Sequence, residues 1–195
     1  MPFSVQDFRN KLAKGGARPS LFEMQITWPD ALRGAVNVST AERDFRFLCQ
    51  ISEIPASTVG SFQVPYFGRK LNFAGDRKFE ALTVTVLNDE DFKVRKALEA
   101  WSAAITGHVT VTSRFGGGIN AGSYATDGIV YQYGRNNGGE ILAAYKFVGM
   151  WPESISNIGL DWESTDQLEK FQVGFQYQWW TSVDTVSGSE ISVNL

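Results

Sequence analysis

The residues of this 195-residue chain whose types could do chemistry are few: one histidine, one cysteine, two runs of carboxylates, a tryptophan pair and a glycine triplet. His108 is the only imidazole, so a nucleophile–histidine–acid triad would have to be built on it. No G-x-S-x-G elbow accompanies it, and residues 109–112 offer no cysteine or carboxylate to share a metal. The run F-G-G-G-I-N-A-G at 115–122 lacks the Lys-Ser/Thr pair of a phosphate-binding loop and reads as a flexible connection. Cys49 excludes an intramolecular disulfide, and its apolar strand-like neighbours predict a buried, inert thiol. Asp89-Glu90-Asp91 and Asp161, Glu163 and Asp166 could supply the two acids of a glycosidase, with Trp179-Trp180 as a sugar platform. The same runs suit a helix N-terminus and a solvated turn, and the tryptophans suit packing. The reading is no catalytic residue, no cofactor and no metal.

Composition turns the question from reaction to surface. Hydrophobic residues make up 43% and charged residues 20%, and the formal net charge of −3 provides no bulk basic footprint for nucleic acid. The 14 Phe, 6 Trp and 6 Tyr fall largely in β-like segments, where aromatics favour half-buried sheets and subunit contacts. No apolar run approaches the roughly 18 residues of a membrane span. The start, M-P-F-S-V-Q-D-F-R-N-K-L, lacks a cationic segment followed by an apolar one, so cytoplasmic synthesis is expected.

The elements that must position these groups are mostly strands. Val5, Phe8 and Leu12 recur at helical spacing in a short N-terminal arm, 1–16. A strand is expected from Leu21 to Trp28, a polar loop with a short hairpin at 29–44, and a second strand from Phe45 to Ile54. Residues 57–75 read as an extended arm around Pro65, leading to a turn centred on Gly75-Asp76 and flanked by Arg69, Lys70, Arg77 and Lys78. A strand at 79–87 points Leu82, Val84 and Val86 inward. Asn88 or Asp89 then caps a helix at about 90–105, striped by Val94, Leu98, Trp101 and Ile105. Strands at 124–133 and 140–149 flank the hairpin signal R-N-N-G-G. The chain is expected to turn at Trp151-Pro152 and to resume at Ile158 to Trp162. A last strand, 171–180, directs Phe171, Val173, Phe175, Tyr177 and Trp179 to one face and Gln172, Gln176 and Gln178 to the other. Beyond it lies a C-terminal extension, 181–195, whose Ile191, Val193 and Leu195 could add a strand across a subunit boundary. The pattern predicts one mainly β domain over 1–195, an antiparallel β-sandwich or barrel with one flanking α-helix.

Several motifs carry a family resemblance. R-K-L-N-F-A-G-D-R at 69–77, followed by the L-T-V-T-V-L strand and N-D-E at 88–90, resembles a run in tail tube proteins of contractile-tailed bacteriophages. A-R-P-S-L-F-E-M-Q-I at 17–26, F-L-C-Q-I-S-E-I-P at 47–55, I-V-Y-Q-Y-G-R at 129–135 and F-V-G-M-W-P to L-D-W at 147–162 are similar to that family's segments, in its order. The loops at 28–44 and 107–123 and the tail after Trp180 depart from it.

The resemblance implies hexameric rings stacked into a hollow tube. That tube would lie inside a tail sheath, between baseplate and tail terminator, with tape measure protein and DNA in its lumen. The protein would be a virion component synthesised in the host cytoplasm. On this reading Tyr66, Arg69, Lys70, Asp76 and Arg77 are expected at contacts between subunits and rings. Gln172, Gln176 and Gln178 are expected in the lumen, where neutral amides would not hold phosphates, and Asp89, Glu90 and Asp91 toward the sheath. The alternatives are a tube of a type VI or extracellular contractile injection system, a tube-initiating baseplate protein, a carbohydrate-binding β-sandwich module, or a hydrolase using the acidic run.

Overall fold

The computed structural model describes residues 4–12, 15–32, 38–106, 124–135, 140–163 and 165–183. His108, the glycine-rich loop 107–123, residues 136–139 of the hairpin connection and the tail 184–195 lie outside them.

Nine strands and three α-helices follow one another in the described residues: α1 (Val5–Lys11), β1 (Phe22–Ile26), α2 (Val38–Leu48), β2 (Cys49–Ser52), β3 (Ser57–Tyr66), β4 (Arg69–Phe79), β5 (Leu82–Leu87), α3 (Lys93–Ile105), β6 (Thr126–Tyr133), β7 (Ile141–Ile155), β8 (Lys170–Gln176) and β9 (Trp179–Val183). A single 3₁₀ turn, Asp30–Leu32, precedes α2. The mainly β, antiparallel reading holds. Seven strands form one curled sheet in the order β1-β6-β7-β8-β5-β2, with β9 also on β7, while among the described strands β3 and β4 pair only with each other.

The spine is β7. Its first part pairs with β6 on one side and β9 on the other, and Trp151–Ile155 pairs with β8. The expected turn at Trp151-Pro152 is therefore absent. Proline cannot donate to a ladder, and here it sits at the register shift between Pro152 and Ser154, where a bulge tolerates it. The segment 158–162 forms no strand either.

The strand expected over 171–180 is two strands. Gly149, at φ 66°, bends β7 level with Tyr177 and Gln178, and the Gln178 amide donates to the Val148 carbonyl at 2.9 Å. The chain thus passes from the β8 ladder to the β9 ladder, and the inward alternation ends at Tyr177. Phe171, Val173, Phe175 and Tyr177 are buried as expected, whereas Trp179 is exposed.

Curling brings the two ends of the sheet together over one core, so that the Ser52 hydroxyl lies 3.7 Å from the Met24 sulfur. Helices α2 and α3 cover the opening, with α2 against β1 and α3 against β7. Phe45 from α2, Leu98 and Trp101 from α3, and Leu82, Val84 and Val86 from β5 are completely buried. Trp101 packs 5.4 Å from Trp28 and donates its indole N–H to the Tyr124 carbonyl.

One flanking helix was expected and α3 is that helix, but α2 occupies part of the region read as loop and strand. Ala41 and Phe45 lie one helical turn apart and both face the core, so burial follows a 3.6 period and not a 2.0 period. Only Cys49–Ser52 of the expected second strand is β. Burial pushes the Cys49 thiol up to about 12, in keeping with an inert residue.

Candidate functional site

Among the described residues the groups with catalytic potential do not converge. Among the described residues no cluster of His, Cys, Asp and Glu could hold a metal ion. Asp161, Glu163 and Asp166 are exposed, and the Asp161 carboxylate accepts from the Glu163 amide in a local turn. Asp89 accepts from the Lys93 amide at 3.1 Å, the first helical N–H of α3, although Phe92 in a left-handed conformation holds the cap position. Asp91 pairs with the Lys93 ammonium, and that hydrogen bond holds its carboxyl below the usual range. These acids start a helix, as the sequence allowed. Trp180 packs edge-on against Tyr145 and Phe79, so the Trp179-Trp180 pair is no flat platform.

The distinctive feature is the ribbon β3–β4. Strand β3 follows β2 and β4 precedes β5, so the β2–β5 ladder runs on past Glu53–Ala56 and Glu80–Ala81 as a second ladder. The turn lies at its tip, where Phe67 (φ 43°) and Gly68 (φ 78°) join Tyr66 to Arg69. Two successive left-handed residues make the tight hairpin whose twist matches the flanking strands. The turn expected at Gly75-Asp76 is instead inside β4. Gly75 passes Gly60 at a bulge, where a Cβ on either glycine would meet the opposite backbone at 3.3 Å.

Register divides the ribbon into two faces. Phe62, Val64 and Tyr66 share one face with their partners Phe73, Leu71 and Arg69, and Phe62 stacks on Phe73 with centroids 5.6 Å apart. Gln63, Pro65, Lys70 and Asn72 take the other. Every residue from Ser61 to Ala74 is exposed, on both faces. Among the described residues the ribbon is anchored at its root: Phe79 meets the Tyr177 and Trp180 rings, and the Tyr177 hydroxyl donates to the Glu80 carbonyl. Of the expected contact residues, the structure gathers Tyr66, Arg69 and Lys70 at the tip and sets Asp76 and Arg77 further down β4, with Arg77 3.5 Å from the Ser57 hydroxyl. None of these charged side chains forms an ion pair with another described residue.

A second surface is the outer face of the sheet around β8. Gln172 and Gln176 point away from the buried Phe171, Val173 and Phe175. Gln172 pairs with Thr85, itself buried, and Gln176 pairs with Trp151, while Gly174 between them lies opposite Thr83 and Ser154. Gln176 donates to Glu153 at 2.9 Å. Gln178 lies off this ladder, in the bend between β8 and β9.

Sequence reasoning passed over a third surface. Beyond β7 the segments 158–161 and 166–170 enclose, with Gln50 and Leu87, an open cleft of about 750 Å³. Leu160 (81%), Leu168 (71%) and Trp162 (100%) are exposed on or beside it. The available signal was three large apolar residues within an acidic, strandless run, a combination a solvated turn does not require.

Comparison with known proteins assigns these surfaces a context. Residues 17–183 match the family model described as phage tail tube protein. The tail tube protein gp19 of Enterobacteria phage T4 is 30% identical over 164 residues, covering 84% of this chain and 90% of that protein. The tail tube protein of Serratia phage KSP90 is 26% identical over 176 residues, covering 89% and 94%. Among solved structures, a chain of the anti-feeding prophage baseplate shares the fold with a TM-score of 0.59 at 10% identity, covering 86% of this chain and 95% of that one.

Proposed function

The chain belongs to the phage tail tube protein family, and from that premise we propose that it is the non-enzymatic structural subunit of a contractile tail's inner tube. Six copies form a ring and rings stack into a conduit for the genome within the virion. One domain over residues 1–195 serves this role, with an N-terminal arm at 1–16 and a C-terminal extension at 181–195 whose first three residues complete β9.

The observation that carries the reading is the ribbon. A two-stranded hairpin is at best marginally stable alone, and an exposed ribbon with an aromatic face and two edges unpaired among the described strands invites other chains. Copies of the same subunit can cover both edges and face, and a heterologous contact repeated around a closed ring leaves no edge unpaired. Tyr66, Arg69, Lys70, Asp76 and Arg77 then make contacts between subunits and rings.

The face bearing Gln172 and Gln176 lines the lumen, with Gln178 at its margin. Amides and hydroxyls suit a conduit, because each Lys or Arg on a phosphate would add affinity through counterion release. Asp89, Glu90 and Asp91 lie on the outside toward the tail sheath protein. Baseplate, tail terminator and tape measure proteins complete the set of partners.

Negative-stain microscopy of the purified protein tests the assembly directly. Six-fold rings or tubes are expected; a monodisperse monomer retained on polysaccharide would replace the reading with a carbohydrate-binding module.

A further inference from the structure

The ribbon and the cleft lie at opposite ends of the same pair of strands. Strand β5 begins beside the ribbon's root at Leu82 and ends at Leu87, in the wall of the cleft. Strand β8 begins at the cleft, where Lys170 pairs with Leu87, and runs back toward the ribbon. Following β4 and β5 from Arg69 to Leu87, the tip and the cleft are separated by up to roughly 60 Å at the rise of an extended chain. One subunit therefore carries a projecting tip at one pole and a receptive hollow at the other.

The two poles are complementary in character. Residues 57–79 contain four cations and one acid, whereas 158–170 contain four acids and one cation. At the tip, Tyr66 and Phe67 sit edge to face at 4.6 Å, with Phe67 91% exposed, and Arg69 and Lys70 lie beside them. In the cleft, Leu87, Ile158, Leu160 and Leu168 offer apolar walls, with Asp161 and Asp166 at the rim and Lys170 the one cation of the lining. Its volume falls among the clefts of roughly 300–1,000 Å³ that enclose drug-sized groups.

Resting on the tube reading above, we infer that the cleft lined by residues 158–161 and 166–170 is the socket for the β3–β4 tip of a subunit in the adjacent ring. Aromatic burial supplies affinity and the rim charges fix register and steer the encounter. Because tip and socket are different surfaces at opposite poles, the contact repeats without closing and specifies a filament. The polarity of the tube follows from it, since a tip cannot enter a tip.

Charge exchange in the full chain tests the pairing. Asp161→Lys with Asp166→Lys, and separately Arg69→Glu with Lys70→Glu, should each reduce tube mass in sedimentation at least ten-fold while hexameric rings persist by mass photometry. Combining all four substitutions should restore tubes. Either reversed pair stacking like the parent, or a four-fold variant that remains as rings, would overturn the socket while leaving the ring reading intact. A parent chain that forms neither rings nor tubes would overturn the tube reading itself.

A chain carrying both Phe67→Cys and Leu168→Cys provides an independent arm. Tip and cleft of one subunit are far beyond disulfide reach, so oxidation should give a ladder of linked chains longer than six. A folded double variant that gives no ladder, judged against its two single-substitution parents, which like it retain Cys49, also sinks the socket.

Discussion

At the scale of single residues, two positions set how β8 passes into β9. Burial first, and the charge of Glu80 second, push the Tyr177 hydroxyl from 10 up to about 12. Its neutral form donates to the Glu80 carbonyl at the root of the ribbon. A folded-state value above the unfolded one means the stabilisation is complete below pH 10 and is lost as the pH climbs from 10 through about 12. Tyr177→Phe should lower stability at neutral pH by about 1 kcal/mol and flatten its decline between those values, read by chemical denaturation at stepped pH. Gly149 is the second position. An alanine there would adopt a left-handed φ and place its Cβ 2.9 Å from the Gln178 Cγ, so Gly149→Ala should cost about 1–2 kcal/mol in thermal melts. Loss of less than a few tenths would mean that the bend does not depend on glycine. Glu23 shows a different balance. Burial opposes its charge, yet hydrogen bonds from Gln25, Tyr133 and Arg46 and the Arg46 charge together hold its carboxyl below the usual range. That stabilisation is present above the ordinary carboxylate range and is lost as pH falls through the lowered value.

At the scale of elements, what was legible depended on whether burial and period agreed. Leu82, Val84 and Val86 alternate and are all buried, and Val94, Leu98 and Trp101 repeat at helical spacing and are all buried, so β5 and α3 were readable. Helix α2 was not, because its buried Ala41 and Phe45 stand among polar residues while the exposed Phe47 mimics strand alternation with Phe45 and Cys49. The bend inside 171–180 escaped for another reason. Trp179 keeps the alternation going in the letters after the backbone has changed ladders, and the left-handed residue opposite that change is a glycine thirty residues earlier. The ribbon was visible as an extended arm, but its turn was misplaced. Gly75 has the type of a turn residue, whereas its task is close passage against Gly60. The socket left almost no periodic trace because most of its walls come from strandless segments, 158–161 and 166–169. A proline substitution distinguishes the two readings of 38–48. Glu42 is exposed and interior to α2, so Glu42→Pro should cost about 3 kcal/mol or more in denaturant titration by breaking a helical hydrogen bond and crowding the preceding turn. In a loop the same change would leave the midpoint almost unmoved.

At the scale of the whole molecule, the subunit must adhere to its copies without adhering to its cargo. The two demands are met on different faces. Exposed aromatic and charged groups are concentrated on the ribbon and around the cleft, where Phe62, Phe73, Leu160 and Trp162 stand out. The face of β5 and β8 directed away from the core instead presents Thr83, Gln172 and Gln176, with Thr85 covered beside Gln172. If that face lines the lumen, six-fold repetition multiplies any charge placed on it, so a single added lysine becomes a ring of six. The double substitution Gln172→Lys with Gln176→Lys should leave the thermal midpoint close to the parent's, because neither side chain enters the core. Assembled tubes of that variant should retain short duplex DNA at low salt and release it steeply as salt rises, whereas parent tubes retain none. Salt-dependent retention by intact tubes but not by single subunits would place these residues on the enclosed surface. Equal retention by both, or by neither, would put the amide face on the exterior and send the search for the lumen to another face of the sheet.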